Sequence, residues 1–210
     1  RTPLTTVLSS ATLLSKYTAS DEQEKRDKHI QRIKNSVNNL NDILEDFLSL
    51  GKLNEGRVDT KSEKVNLKEM MADSMEEMKT MLKEGQHFVL NCDAEQDIYT
   101  DKKLFRNILI NLISNAIKFS DNGRPITITG ETADDNVIVS VADQGIGIAQ
   151  EDQEHLFTSF FRASNATNIQ GTGLGLHIVK RYVDLLGGEV TIKSELNKGT
   201  TINFSIPIKE

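Results

Sequence analysis

The stretch Asn107 to Ser120, NILINLISNAIKFS, restricts the fold of this chain more than any other. Ile108, Leu109, Leu112, Ile113, Ala116 and Ile117 wrap most of the circumference of a helix, so that helix must be covered on nearly every side. Through the apolar surface runs a polar stripe of Asn107, Asn111, Asn115 and Lys118, spaced by four, four and three residues and therefore on one face. Solvated helix faces favour Glu, Lys or Gln, because Asn is a mediocre helix former that competes for backbone hydrogen bonds. Three amides and an ammonium suit a wet surface. They equally suit a ligand face, with amide oxygens for a cation and a lysine for phosphate.

The chain has 210 residues, enough for one or two domains, and its 37% hydrophobic content is ordinary for a foldable protein. The longest apolar run is far short of a membrane span and no signal peptide opens the sequence. No membrane contact is therefore expected within this stretch. The single Cys92 excludes an internal disulfide and a cysteine-built metal site, which fits a reducing compartment. Of the net charge of −6, none lies in residues 1–60, where nine basic residues balance nine acidic ones. All the excess negative charge thus falls in 61–210, which argues against nucleic acid as a partner.

In the first sixty residues, Leu4, Val7, Leu8, Ala11 and Leu14 follow a helical stripe, with Pro3 tolerable in a first turn. Ser20 before Asp21, Glu22 and Gln23 suits a new helix start with a capping box. Ile30, Ile33, Val37, Leu40, Leu44 and Phe47 then alternate by three and four, the seam of a coiled coil or four-helix bundle. A hairpin this short cannot bury both stripes alone. Two copies would form a four-helix bundle, which predicts a homodimer; packing of the hairpin on the rest of the chain is the alternative. Gly51 to Ser62 reads as a linker, giving a hairpin over 1–50, a linker over 51–62 and a second domain over 63–210.

In the second domain, Val65–Leu67 suggests a strand and Lys68–Leu82 a helix with a methionine stripe (Met70, Met71, Met75, Met78, Met81), read as pliable core. Strands are predicted at 87–92, 98–100, 126–129, 137–141, 189–194 and 200–206, with helices at 107–120 and 173–186. The last strand sets Ile202, Phe204 and Ile206 against Thr201, Asn203 and Ser205, the pattern of one buried face. The whole chain is then α+β: a helical hairpin, followed by an α/β sandwich whose mixed, mostly antiparallel sheet carries helices on one face.

Two glycine-rich motifs follow strand and loop. Asp143-Gln-Gly145-Ile-Gly147 ends a strand; its carboxylate can accept from an exocyclic amine such as that of adenine, although Asp before Gly is most often only a turn. Gly171-Thr172-Gly173-Leu174-Gly175-Leu176 enters a helix and presents N–H donors and a positive dipole end to an anion. It matches neither the dinucleotide motif nor the Walker A loop. Between them, Ala149–Gln170 carries Phe157, Phe160 and Phe161, the composition of a mobile lid with an aromatic anchor or of plain core.

NLISNAIKFS, DQGIGI, LFTSFFR and GTGLGL, in this order, resemble the asparagine, first glycine, phenylalanine and second glycine boxes of sensor histidine kinases. The fold implied is the Bergerat fold shared with gyrase-type ATPases. RTPL resembles the residues just after the phospho-acceptor histidine in that family's dimerisation hairpin, with its pattern H-E-x-R-T-P-L. The resemblance covers nearly the whole chain.

What it implies is specific. Asn115 would be the magnesium ligand, Asn111 the other amide position, Lys118 a phosphate contact and Phe119 its neighbour in the nucleotide site. Asp143 would select adenine, helped by backbone at Gly145 and Gly147 and, through water, by Thr201. Arg162 would be a lid arginine meeting the γ-phosphate, and Gly171 to Leu176 would wrap the triphosphate. Thr2 falls at the position that helps water attack the phosphorylated regulator. The acceptor histidine would lie three residues before Arg1, and His29, His87, His155 and His177 are poor substitutes for it. The expected activity is ATP- and Mg²⁺-dependent histidine phosphorylation, then transfer to an aspartate on a response-regulator receiver domain, in the cytoplasm or on the cytoplasmic side of a membrane. The alternatives are a response-regulator phosphatase acting through Thr2 or a non-catalytic nucleotide-sensing dimer. A gyrase-like ATPase would need a general-base glutamate where Asn111 stands.

Overall fold

A computed structural model describes residues 2–54, 60–92, 97–169 and 171–208. The chain divides into two compact units, Arg1–Glu55 and Gly56–Glu210.

The first unit is a hairpin of α1 (Thr2–Leu14) and α2 (Gln23–Asn54). Pro3 sits in the first turn of α1, where its missing N–H breaks no helical bond. The second helical segment begins one residue earlier than predicted, in a 3₁₀ turn at Ser20–Glu22. Ala19 stands at the N-cap, and the Glu22 carboxylate accepts its backbone N–H at 3.3 Å. Arg26 fastens the turn by donating to the Tyr17 and Ala19 carbonyls at 3.0 and 2.7 Å, and His29 stacks on the Tyr17 ring at 5.6 Å. Ser10, His29 and Ser36 are buried, whereas Leu4, Leu8, Leu44 and Phe47 are 52% exposed or more, at 62%, 70%, 56% and 66%, with Leu48 at 52%. Much of the apolar alternation therefore marks an outward face rather than the contact between the two helices. Helix α2 continues through Gly51 to Asn54, so the predicted linker begins as helix; residues 55–59 of it lie outside the described ones. No described helix is long and apolar enough to cross a membrane.

The second unit opens with β1 (Glu63–Asn66), α3 (Leu67–Met78), β2 (His87–Cys92) and β3 (Asp97–Thr100). Then follow α4 (Lys102–Phe119), β4 (Pro125–Ala133), β5 (Asn136–Asp143), the single turn α5 (Gln150–Gln153), α6 (Gly175–Leu185), β6 (Glu189–Glu195) and β7 (Gly199–Pro207). Strands β1 and β3 form an antiparallel pair; the main sheet has the order β2-β4-β5-β7-β6, with β2 and β4 parallel and the other neighbours antiparallel. Strands β4 and β5 run longer than predicted because Asp134 and Asp135, at φ 50° and 60°, close a two-residue hairpin that lets pairing continue to Ala133 and Asn136.

The sheet buries one face. Ile126, Ile128, Val137, Val139, Val141, Ile202, Phe204 and Ile206 alternate inward, beneath α3, α4 and α6. Met70, Met71 and Met78 are buried, as expected of core, but Met81 is 56% exposed. A Cβ on Gly130 would lie 2.6 Å from Met71 Sδ, so the bare backbone there is what admits the thioether. Helix α4 starts five residues before the predicted Asn107. Asp101 caps it, accepting Leu104 N–H at 2.9 Å with one oxygen and Lys61 N–H at 2.8 Å with the other, while Leu104 and Phe105 extend the buried face.

Candidate nucleotide site

The polar stripe of α4 remains half-buried along its length, while every apolar residue named above for that helix is buried. Asn111 donates its Nδ2 to the Asn107 carbonyl at 3.0 Å, which turns Oδ1 outward. That oxygen meets the start of α6: a Cβ on Gly175 would lie 2.9 Å from Asn111 Oδ1 and 4.0 Å from Asn115 Nδ2. One turn further along α4, a Cβ on Gly171 would lie 2.6 Å from Lys118 Nζ. The second glycine motif thus lies along the asparagine stripe, with side chains removed where the polar atoms need room. Gly173, at φ 73°, bends the chain so that its carbonyl accepts Phe160 N–H at 3.0 Å. Thr172 Oγ1 accepts Leu174 N–H at 3.1 Å, ahead of the first turn of α6. The Asn111 amide oxygen and the start of α6 at Gly175, with the Lys118 ammonium at Gly171, thus lie along one glycine motif, groups of the kind that suit phosphate with its counter-cation.

The end of α4 is braced from outside the predicted motifs. Lys83 Nζ donates to the Lys118 carbonyl at 2.9 Å and to that of Ser120, and buried Gln86 donates to the Ile117 and Asp121 carbonyls at 3.2 and 3.1 Å. These side chains satisfy carbonyls that a helix C-terminus leaves open. The Phe119 carbonyl instead accepts Ile146 N–H at 3.2 Å. A Cβ on Gly145 would lie 2.1 Å from that oxygen, and one on Gly147, at φ 61°, would lie 1.9 Å from the Glu195 carbonyl oxygen. The first glycine motif is therefore wedged between the end of α4 and the β6–β7 turn.

Asp143 ends β5 with one carboxylate oxygen accepting Gly145 N–H at 2.8 Å. Burial pushes its pKa up to about 6, against the opposing pull of the Gly145 and Thr200 backbone N–H groups. Asp143 pairs with Thr200, and Val141 with Ile202, so Thr200 shares the helix-covered face with Asp143. Thr201, the residue expected to assist, pairs with Ala142 and lies on the opposite face. Thr200, not Thr201, is therefore the threonine beside Asp143, because side chains alternate along a strand. The alternation of Thr201 with Ile202 already carried that signal.

The lid segment has its own small core. Leu156, Ala163 and Ala166 are buried, with Phe119, Ile146, Ile148, Phe161, Leu176 and Ile192 packed against them. Phe161 is the aromatic anchor and Phe160 is 70% exposed at φ 64°. Leu176 packs its side chain against this core. Arg162 is also placed differently from expectation: its guanidinium donates to the Ala166 and Thr167 carbonyls at 2.7 and 3.2 Å and to that of Ile169. A planar fork of donors closes its own loop, and it would have to release these carbonyls to meet a phosphate. Asp152 accepts from Ser164 N–H and Oγ–H at 2.9 and 2.8 Å, which holds its pKa below the usual carboxylate range. Asn165 ties the lid to the first glycine motif by donating to the Gly147 carbonyl at 2.8 Å. Thr2 opens α1, and its side chain lies outside the described residues.

Comparison with known proteins agrees with this geometry. Residues 100–210 match the family of histidine kinase-, DNA gyrase B- and HSP90-like ATPases, and residues 1–56 match the His Kinase A (phospho-acceptor) domain. Hybrid signal transduction histidine kinase B of Dictyostelium discoideum is 33% identical over 99% of this chain, which spans 11% of that relative. Among solved structures, full-length ShkA in complex with AMPPNP is 28% identical, covering 99% of this chain and 43% of that one, with a TM-score of 0.74. Histidine kinase ThkA in complex with the response regulator protein TrrA is 26% identical, covering 99% and 58%, with a TM-score of 0.75. The chain spans 11% of that Dictyostelium relative and 40% of a sensor-like histidine kinase of Rhizobium meliloti. Two family matches in sequence order, on a hairpin followed by a sheet with its glycine motifs set against an asparagine-striped helix, establish that the chain belongs to the sensor histidine kinase family.

Proposed function

We propose that this chain is the catalytic core of a histidine kinase: it binds ATP with Mg²⁺, directs the γ-phosphoryl to a histidine, and supplies an aspartate of a response-regulator receiver domain. The observation that carries the reading is the approach of Asn111 Oδ1 to Gly175 and of Lys118 Nζ to Gly171, within 2.9 and 2.6 Å of where a Cβ would stand. Asp143, held by Gly145 N–H, offers the base a carboxylate acceptor. Asn115 and Asn111 fit a hard cation through amide oxygen. Among the described residues no group of three or more His, Cys, Asp or Glu could hold a metal, so the cation would share its ligands with phosphate and water. Bound there, Mg²⁺ would supply neutralisation of phosphate charge. The residues of the chain position and neutralise, which is most of what phosphoryl transfer requires.

Asn111 has no proton-accepting function, so steady hydrolysis of ATP by this site is disfavoured. The four histidines do not suit the acceptor role: His29 is buried against Tyr17, His177 meets the Phe157 carbonyl at 2.9 Å, His155 packs on Phe161, and His87 lies by the Gly85 carbonyl. The acceptor is then the histidine that the H-E-x-R-T-P-L pattern sets three residues before Arg1. The exposed stripe of Leu4, Leu8, Leu44 and Phe47 supports a homodimer through the hairpin, since a second copy would cover it.

The test is to extend the chain by its native upstream residues and incubate both forms with γ-labelled ATP and Mg²⁺. Acid-labile, alkali-stable label is expected only in the extended form, and Asn115→Asp or Asp143→Asn is expected to reduce it at least a hundredfold, about the loss of two hydrogen bonds to charged groups. Absence of label in an extended form that binds ATP would refute the kinase reading.

A further inference from the structure

Three side chains stand in a row across neighbouring strands on the helix-covered face. Asp143 on β5 pairs with Thr200 on β7, and Thr200 pairs with Ser194 on β6. Ser194 belongs to none of the glycine or asparagine motifs. Its hydroxyl nevertheless has three neighbours: Ile148 N–H at 2.9 Å, the Gly199 carbonyl at 2.9 Å and Thr200 Oγ1 at 2.8 Å.

The protons can be counted. A serine hydroxyl has one proton and two lone pairs. The Gly199 carbonyl only accepts, so it takes the serine proton; Ile148 N–H only donates, so it occupies one lone pair. Both partners are backbone, and Gln153 fixes the segment further by donating to the Ile148 and Ser194 carbonyls at 3.0 and 2.9 Å. One lone pair of Ser194 remains, facing Thr200 Oγ1 at hydrogen-bond distance. Only the Thr200 proton can complete that contact. Thr200 Oγ1 is then left with lone pairs alone, beside a carboxylate that Gly145 N–H and Thr200 N–H already orient.

We infer that Ser194 is a positioning residue that sets base specificity: by taking the Thr200 proton it makes Thr200 Oγ1 an obligate acceptor beside Asp143. The pair of acceptors takes a purine with an exocyclic amine at that position and rejects one with a carbonyl, which would face two oxygens with no proton between them. This rests on the reading of Asp143 as the contact to the base.

The test measures dissociation constants for ATP and GTP by titration calorimetry on the whole chain, with thermal unfolding to verify the fold. In Ser194→Ala the threonine hydroxyl rotates freely and can donate to a carbonyl. ATP binding should weaken about 3–10-fold, the range of one net hydrogen bond, while GTP binding does not weaken. Ser194→Thr, which keeps the hydroxyl on a β-compatible side chain, should retain the wild-type preference. Thr200→Val, removing the acceptor itself, should narrow the ATP-to-GTP preference at least as far as Ser194→Ala. Equal losses for both nucleotides in Ser194→Ala, or a full preference kept in Thr200→Val, would overturn the inference. Undiminished ATP binding in Asp143→Asn would instead overturn the base-site reading beneath it.

Discussion

Asp143 carries the sharpest conflict between stability and function. Its pKa is raised to about 6 by burial, so the folded state holds a proton that the unfolded chain releases near the ordinary carboxylate value of 3.8. For a carboxylate shifted upward the folded state binds more protons between those values, so this group makes stability fall as pH rises from about 4 to 6. On the proposed contact to the base, ligand binding has the opposite sign, because only the ionised form accepts fully from an amine. Adenosine, which carries no titrating phosphate, should bind about tenfold more weakly at pH 5 than at pH 7.5, read by calorimetry. Asp143→Asn should be about 1–2 kcal/mol more stable than wild type at pH 8 in denaturant melts without nucleotide, while losing affinity for it. Thr200 and Thr201 show how finely such roles divide: adjacent threonines, one beside the carboxylate and the other across the sheet.

At the scale of elements, the site is a set of backbone segments that approach one another where glycine permits. Helix α4 ends under Lys83 and Gln86 and meets the first glycine motif through Phe119, whose ring also lies 5.1 Å beneath Lys118 Nζ. The Gly147 segment is held from the other side by the Asn197 N–H, which donates to the Ile146 carbonyl at 2.8 Å. Gly147→Ala would combine a left-handed φ of 61° with a Cβ 1.9 Å from a carbonyl oxygen. We expect more than about 1 kcal/mol of destabilisation in urea melts and a larger proportional loss of ATP binding, because the strand end must shift. Predicted element types held throughout the second unit, but their limits moved: α4 gained a turn at its start, and α6 begins at Gly175, leaving Gly171–Leu174 as approach loop. The added turn of α4 depends on Asp101, whose second oxygen is occupied by distant Lys61 N–H. No local pattern announces a cap completed forty residues away.

At the scale of the molecule, the hairpin exposes what a soluble helix normally hides. Leu8 and Phe47, 70% and 66% exposed, lie in the stripe that a second copy would cover. Leu8→Glu together with Phe47→Glu should convert the proposed dimer to a monomer at micromolar concentration in sedimentation equilibrium while leaving ATP affinity within about twofold, since the proposed nucleotide site belongs to the second unit. A wild-type chain that sediments as a monomer under the same conditions would refute the dimer.

Much of this protein was legible in the order of its residues. The 3.6-residue wrap of Asn107 to Ser120, the two-residue alternation of the last strand and the glycine motifs are local patterns. Local periodicity alone names the element and its buried face. The four boxes and RTPL then carry the family. What required tertiary structure were contacts between residues far apart in sequence: Lys83 and Gln86 on the end of α4, Ser194 on Ile148 of the first glycine motif, and Gln153 on the Ser194 carbonyl. Hydrogen bonds of this kind satisfy particular orphaned groups at particular distances, and a sequence records which donors exist without recording which acceptor each will meet.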